Sequence, residues 1–257
     1  MSGKRDRETR REERLREEAG VASDERRQKL IKVGSAAAFL VVVVVAVLIV
    51  VASSGGGSGG DASNLKEVAE VEQLLDGIPQ HGLVLGEPGA KVTVLEFGDL
   101  QCPFCKGFSE EILPPVIQSQ VASGEAKLSF NNFTIIGPES VPAGAAAIAA
   151  GKQGRGWNYV ELFYRNQGEE NSGYVTDEFL TAVAKGAGVP NIAKWNKDRK
   201  AKSTIEEVEA TTAKAESLEF SGTPSFAVEG PGVAGVKKLG TPGSSGDLEA
   251  AIEDAAG

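Results

Sequence analysis

The sequence predicts an α/β domain, ordered β-α-β, helical block, β-β-α, standing behind a single transmembrane helix. Three observations lead there. Residues 33 to 52 run without a charge. Strand-like and helical text then alternate around "LEFGDLQCPFC", which holds Cys102 and Cys105, the only cysteines in the 257 residues. After a strand-free stretch at about 139 to 218, β-branched text returns ahead of a last helix.

Residues 1 to 32 carry eleven Lys and Arg against eight Asp and Glu, with few apolar side chains. They cannot bury enough surface to repay chain ordering and read as a disordered charged tail. The twenty residues from Val33 to Ala52, "VGSAAAFLVVVVVAVLIVVA", are long enough as a helix to cross a hydrocarbon core of about 30 Å. A cleavable signal peptide is the alternative, with "VVASS" around Ala52 as its cleavage site. Its apolar region would be shorter, about 7 to 15 residues. "RRQKLIK" precedes the span and "SSGGGSGG" follows it, which puts the N-terminus in the cytoplasm and the rest outside. The tail contributes +3 to a total of −9, leaving −12 beyond it. That balance excludes a nucleic-acid partner for the outer part.

Residues 53 to 80 read as a flexible linker, Gly/Ser-rich and then acidic and weakly helical, so the globular domain is expected to span 81–257. "AKVTVLEFGDL" predicts a buried strand, "CPFCKGFSEEILPPVIQSQVASG" a helix bent or broken at Pro114 and Pro115, and "AKLSFNNFTII" a second strand. Such a β-α-β unit implies parallel strands and a right-handed crossover. About four helices follow, containing "WNYVELFYRNQ" and "IAKWNKDRKAKSTIEEVEATTAKAESL". "TPSFAVEG" and "AGVKKLG" predict a hairpin, and "DLEAAIEDAA" a closing helix capped by Ser245 or Asp247.

The cysteine pair admits three readings. A zinc site draws about four ligands, and the chain offers one pair and a single histidine, His81. A structural disulfide across two intervening residues closes a loop too short to stabilise much. The third reading is redox: a Cys-x-x-Cys directly after a strand places Cys102 at a helix start, where unpaired N–H groups and the helix dipole favour the thiolate. Pro103 suits the first helical turn. Glu96, six residues earlier in apolar "VTVLEF", is either a buried proton carrier or an outward side chain on an alternating strand. On its own text, Pro224 in "SGTPSF" is an ordinary trans proline opening a strand. Trp157, Tyr159, Phe163 and Tyr164 have helical spacing and read as core. No chemistry attaches to His81.

From about His81 onward, "LVLGEPGAKVTVLEFGDLQCPFCKGFSEEILP" resembles the membrane-anchored, Gram-positive form of the DsbA-like thiol:disulfide oxidoreductases. The resemblance implies a thioredoxin-like fold with a helical insertion. It implies that Cys102 and Cys105 are the catalytic pair, that Glu96 is the acid beneath them, and that Thr223 and a cis Pro224 face the sulfurs. Thr223, Pro224, Pro103 and Phe104 would border the substrate. It implies no cofactor or metal, exported protein thiols as substrates, and a membrane partner of DsbB or VKOR type that reoxidises the pair. Strongly oxidising members carry His where this chain has Phe104, so the redox potential stays open. A reductase or isomerase using the same site, and a non-catalytic binding module, stand as alternatives.

Overall fold

The computed structural model of the chain describes residues 61–257. The charged tail, the expected span at 33–52 and the first part of the linker lie outside the described residues. Among the described residues no helix is long and apolar enough to cross a membrane.

The centre is β3 (Val92–Gly98), "VTVLEFG", buried on both faces. β4 (Ala126–Asn132) lies parallel to it on one side, and β5 (Ser225–Glu229) antiparallel on the other. β1 (Gln80–His81) and β2 (Val84–Leu85) form a short antiparallel pair that joins β4, while β6 (Lys237–Leu239) closes the far edge. The order is β1-β2-β4-β3-β5-β6.

Side chains alternate across β3. Val92 and Val94 face the larger core, and Leu95 and Phe97 face a second one. Parity puts Glu96 on the Val92 face, opposite Phe130 on β4 and Phe226 on β5. Gly98 ends the strand where backbone and rings meet closely. A Cβ there would lie 2.8 Å from the Phe130 ring and 3.1 Å from the Tyr164 hydroxyl.

After Cys102 the chain forms α2 (Pro103–Gly107), a π-helical turn (Phe108–Ile112), α3 (Leu113–Val116) and a second π-helical turn (Ile117–Val121). Pro114 and Pro115 do not end this helix. The N–H of Leu113, just before them, donates to Phe108 O five residues back, and this widened ladder accommodates the missing proline donors. Leu113 and Val116, with Leu248 and Ile252 of α9 (Ser245–Ala256), fill the larger core. The cap of α9 is Ser244, whose Oγ accepts from Asp247 N at 3.2 Å. The expected caps Ser245 and Asp247 lie inside the first turn, because the chain is already extended at Ser244.

Five helices separate β4 from β5: α4 (Ser140–Gly151), α5 (Gly156–Arg165), α6 (Asp177–Gly186), α7 (Ile192–Asp198) and α8 (Lys202–Ser217). The expectation was about four, because the text from Ile192 to Leu218 reads as one helix. It divides between α7 and α8, where Trp195 is fully buried with its Nε1 donating to Ala146 O at 2.9 Å. Arg199 stacks over that ring at 5.0 Å and binds Asp177 at 2.7 Å. α4 is alanine-rich and buried nearly all round, the pattern of a helix enclosed by neighbours. Trp157, Tyr159, Phe163 and Tyr164 are all fully buried, as expected of core.

The region before residue 81 differs from its expectation. α1 (Val68–Leu75) buries Val71 and Leu75 in the main core, where a flexible approach was expected. Val68, Val71 and Leu75 recur at helical spacing and lie against α5. Glu72 adds an ion pair to Arg155 at 3.3 Å, and Lys66 N–H donates to Asn166 Oδ1 at 2.8 Å. His81 lies in a strand pair with β2.

Leu75→Ala is therefore expected to cost about 2 to 5 kcal/mol in urea unfolding, the range for an emptied core leucine. A loose linker at this position would give a change near zero.

Candidate active site

Between β3 and α2 the chain turns through Asp99, Leu100 and Gln101. Cys102 is the N-cap residue of α2, extended at φ −74° and ψ 119°, with Pro103 as the first helical residue. Its N–H donates to Asp99 O at 2.9 Å. The Asp99 carboxylate accepts from Gln101 N at 2.9 Å on one oxygen, and from Ile135 N at 2.9 Å and Ile136 N at 3.0 Å on the other.

The helical insertion holds the same turn from the other side. The Tyr164 hydroxyl donates to Asp99 O at 3.2 Å, and Gln167 Nε2 donates to Leu100 O at 2.7 Å and Cys102 O at 3.1 Å. Gln101 binds Ser140 Oγ through its Nε2 and accepts from Asn171 N, each at 2.9 Å. Sequence reasoning missed these residues. Only Asp99, a side chain able to cap its own turn two residues on, left a local signal.

Thr223 and Pro224 lead into β5, and the peptide between them is cis. The Cys102 thiol donates to Thr223 O at 3.4 Å. Both cysteines are free thiols, and both are buried. Cys102 is 2% exposed because the Thr223 loop covers its sulfur. Pro103 and Phe104 stand outward, Phe104 at 77% exposure, and among the described residues Ile135 is the other exposed large apolar one. Glu96 is buried, at 3% exposure. Cys102, Cys105 and Thr223 thus converge, with Glu96 on the strand behind them; Phe104 turns away to solvent. Among the described residues no His, Cys, Asp and Glu cluster could hold a metal ion.

The two sulfurs are electrostatically unlike. The Cys102 thiol is pulled down to about 6, chiefly by a hydrogen bond from Cys105, against the cost of burial. The Thr223 side chain and the N–H groups of Cys105 and Phe104 add to the pull. The Thr223 carbonyl favours the thiol instead, and the donors outweigh it. Burial first, and then the neighbouring Cys102, push Cys105 well above its usual range. Burial raises Glu96 to about 8, assisted by the charges of Glu161 and Cys102. A thiolate that forms near neutral pH, beside a thiol that keeps its proton, is the arrangement for thiol–disulfide exchange.

Iodoacetamide should therefore alkylate the reduced protein at Cys102 with a midpoint near pH 6, against about 8.5 for an ordinary thiol. The folded pKa lies below the unfolded one, so the thiolate's stabilisation is complete above the unfolded value and lost as pH falls through the folded one. Measured against Cys102→Ser, the dithiol form should lose unfolding stability between about pH 9 and 6.

Comparison with known proteins agrees with this geometry. A family model described as Thioredoxin matches residues 79–254. The Bacillus cereus protein named "Probable disulfide bond formation protein D" is 31% identical over 150 residues, covering 57% of this chain and 69% of that protein. The crystal structure of oxidised BdbD from Bacillus subtilis aligns with a TM-score of 0.60 at 24% identity, over 69% of this chain and 97% of the other. A thioredoxin-like oxidoreductase from Silicibacter pomeroyi aligns with a TM-score of 0.54 at 26% identity, over 72% and 96%. The chain belongs to the thioredoxin family, as a DsbA-like protein-disulfide oxidoreductase.

Proposed function

We propose that this oxidoreductase forms disulfides in exported proteins, anchored by a helix at 33–52 with its N-terminus in the cytoplasm and residues 81–257 as its outer catalytic domain. The observation that carries the reading is the pair of unlike sulfurs, Cys102 drawn down to about 6 and Cys105 pushed up. Stabilising the reduced enzyme's thiolate makes its disulfide a better oxidant.

In this mechanism a substrate thiolate attacks Cys102 Sγ of the Cys102–Cys105 disulfide. The enzyme's S–S bond breaks, and Cys105 leaves as a thiolate that takes the proton of Glu96. A second substrate thiolate then attacks the substrate sulfur of the mixed disulfide, and Cys102 leaves as a stabilised thiolate. The substrate loses two electrons and gains a disulfide; the enzyme gains them as a dithiol. Thr223 offers its backbone to an extended peptide beside Pro224, while Pro103 and Phe104 border the incoming chain. A membrane partner of DsbB or VKOR type returns the pair to the disulfide. The uncharged run at 33–52 and the basic residues before it support the anchor.

Glu96 ties the chemistry to pH. The Cys102 thiolate is one of the causes that raise it, so its proton affinity is lower in the disulfide form. Reduction then takes up an extra proton in the window between the two values, and each proton per two electrons adds about 30 mV per pH unit to the slope of the potential.

Equilibration against glutathione should place the potential between about −270 and −120 mV, the bounds set by thioredoxin-like and strongly oxidising sites. The slope should ease near pH 8, the upper end of the Glu96 window, and Glu96→Gln should abolish that break. Cys102→Ser should lose oxidative refolding of a reduced substrate altogether; full activity in that variant would overturn the mechanism. The full chain should resist alkaline carbonate extraction from membranes, and a chain lacking residues 33 to 52 should be released.

A further inference from the structure

Just past the end of α5, Gln167 grips the reactive turn on both sides of Gln101. Its Nε2 donates to Leu100 O at 2.7 Å and to Cys102 O at 3.1 Å. Both hydrogens of the amide are thus spent on the two carbonyls that bracket one residue. Cys102 O accepts as well from Lys106 N at 3.1 Å, the bond that opens α2.

Gln167 is itself held in place. Its N–H donates to Tyr164 O at 3.1 Å. On one side, Asn166 is fastened to the backbone of Lys66: its Oδ1 accepts from Lys66 N at 2.8 Å and its Nδ2 donates to Lys66 O at 3.1 Å. On the other, Gly168 lies against the Tyr174 ring, where a Cβ would come within 2.7 Å of a ring carbon. A half-buried side chain braced in this way holds its amide in one position.

What the grip controls is direction. Cys102 caps α2 with ψ at 119°. Rotation about that bond swings the Cys102 carbonyl and the start of α2 together, relative to the sulfur. Holding Cys102 O therefore fixes ψ, and holding Leu100 O fixes the peptide that leads into Gln101. In this setting the N–H groups of Phe104 and Cys105 meet the Cys102 sulfur. The other groups facing that sulfur are Thr223 ahead of β5, Cys105 on α2, Glu96 on β3 and Tyr164 on α5.

We propose that Gln167 is a positioning residue of the exchange reaction, its amide fixing the carbonyls on either side of Gln101 so that α2 opens with its N–H groups on the attacking sulfur. The inference rests on the reading of Cys102 as that sulfur.

The test uses the full chain in detergent and follows Cys102 alkylation against pH, together with equilibration against glutathione at pH 7. Gln167→Met keeps the bulk and removes both donors; Gln167→Glu keeps the size and, ionised, offers no hydrogen. In Gln167→Met the alkylation midpoint is expected to rise by about half to one pH unit, the net worth of one such bond. The glutathione equilibrium should shift about three- to fivefold toward the enzyme disulfide, because a less stabilised thiolate disfavours the reduced form. Gln167→Glu should shift both further, since its charge opposes the thiolate. The dithiol form should lose more unfolding stability than the disulfide form. A brace of merely structural worth would weaken both forms equally and leave the midpoint at its wild-type value, and that result overturns the inference. Should Gln167→Met not fold, Gln167→Glu decides by the same midpoint. Cys102→Ser separates the two readings. If it keeps oxidative refolding, the role of Cys102 has failed and the inference with it; if it loses refolding while the Gln167 variants keep the wild-type midpoint, only the inference has failed.

Discussion

The site hangs on the Asp99 carboxylate. Each of its oxygens is used, one to close the turn that delivers Cys102 and the other to tie that turn to the exit of β4. Without such bonds the segment between β3 and α2 would be a buried loop with unpaired donors, which proteins do not tolerate. With them, the backbone is fixed and the first N–H groups of α2 point at one sulfur. Donors set in advance need no reordering when charge forms, and so they stabilise the thiolate.

The central strand imposes the second condition. β3 carries Glu96 on the face of Val92 and Val94, between Phe130 and Phe226, where a carboxyl finds almost no water. Such a group costs stability unless partnered, and one of its oxygens is buried with no hydrogen-bond partner. Cys105 experiences the same dry surroundings with the opposite outcome to Cys102. One medium thus separates two identical side chains by what each can reach: Cys102 has several donors, and Cys105 is ruled by burial.

Much of this was legible in the sequence, for identifiable reasons. The β-branched, apolar text of "VTVLEF" marked β3 as a buried strand and left Glu96 either buried or outward; the register of β3 between β4 and β5 settles the side. The β-α-β order, the hairpin of β5 and β6, and the helical stretch between β4 and β5 all show as changes of period. What was not legible depends on contacts far apart in the chain. Tyr164 and Gln167 bind the reactive turn across more than sixty residues, and Tyr164 on α5 and Gln167 just past its end read only as packing and polar text. Glu161 is fully buried on α5, and nothing in its local text marks it. α1 was taken for linker because its apolar stripe is three residues wide. The division between α7 and α8 carries neither glycine nor proline to mark it.

The latching of residues 99–102 by the insertion also bears on the order of maturation. Tyr164, Gln167 and Asn171 reach that stretch only once α4 to α6 have docked, so sulfur acidity is a property of the finished molecule. A nascent polypeptide emerging with its insertion still undocked carries two commonplace mercaptans. Ordinary thiols of pKa about 8.5 are only a few per cent ionised at pH 7, so it exchanges more slowly than the finished site.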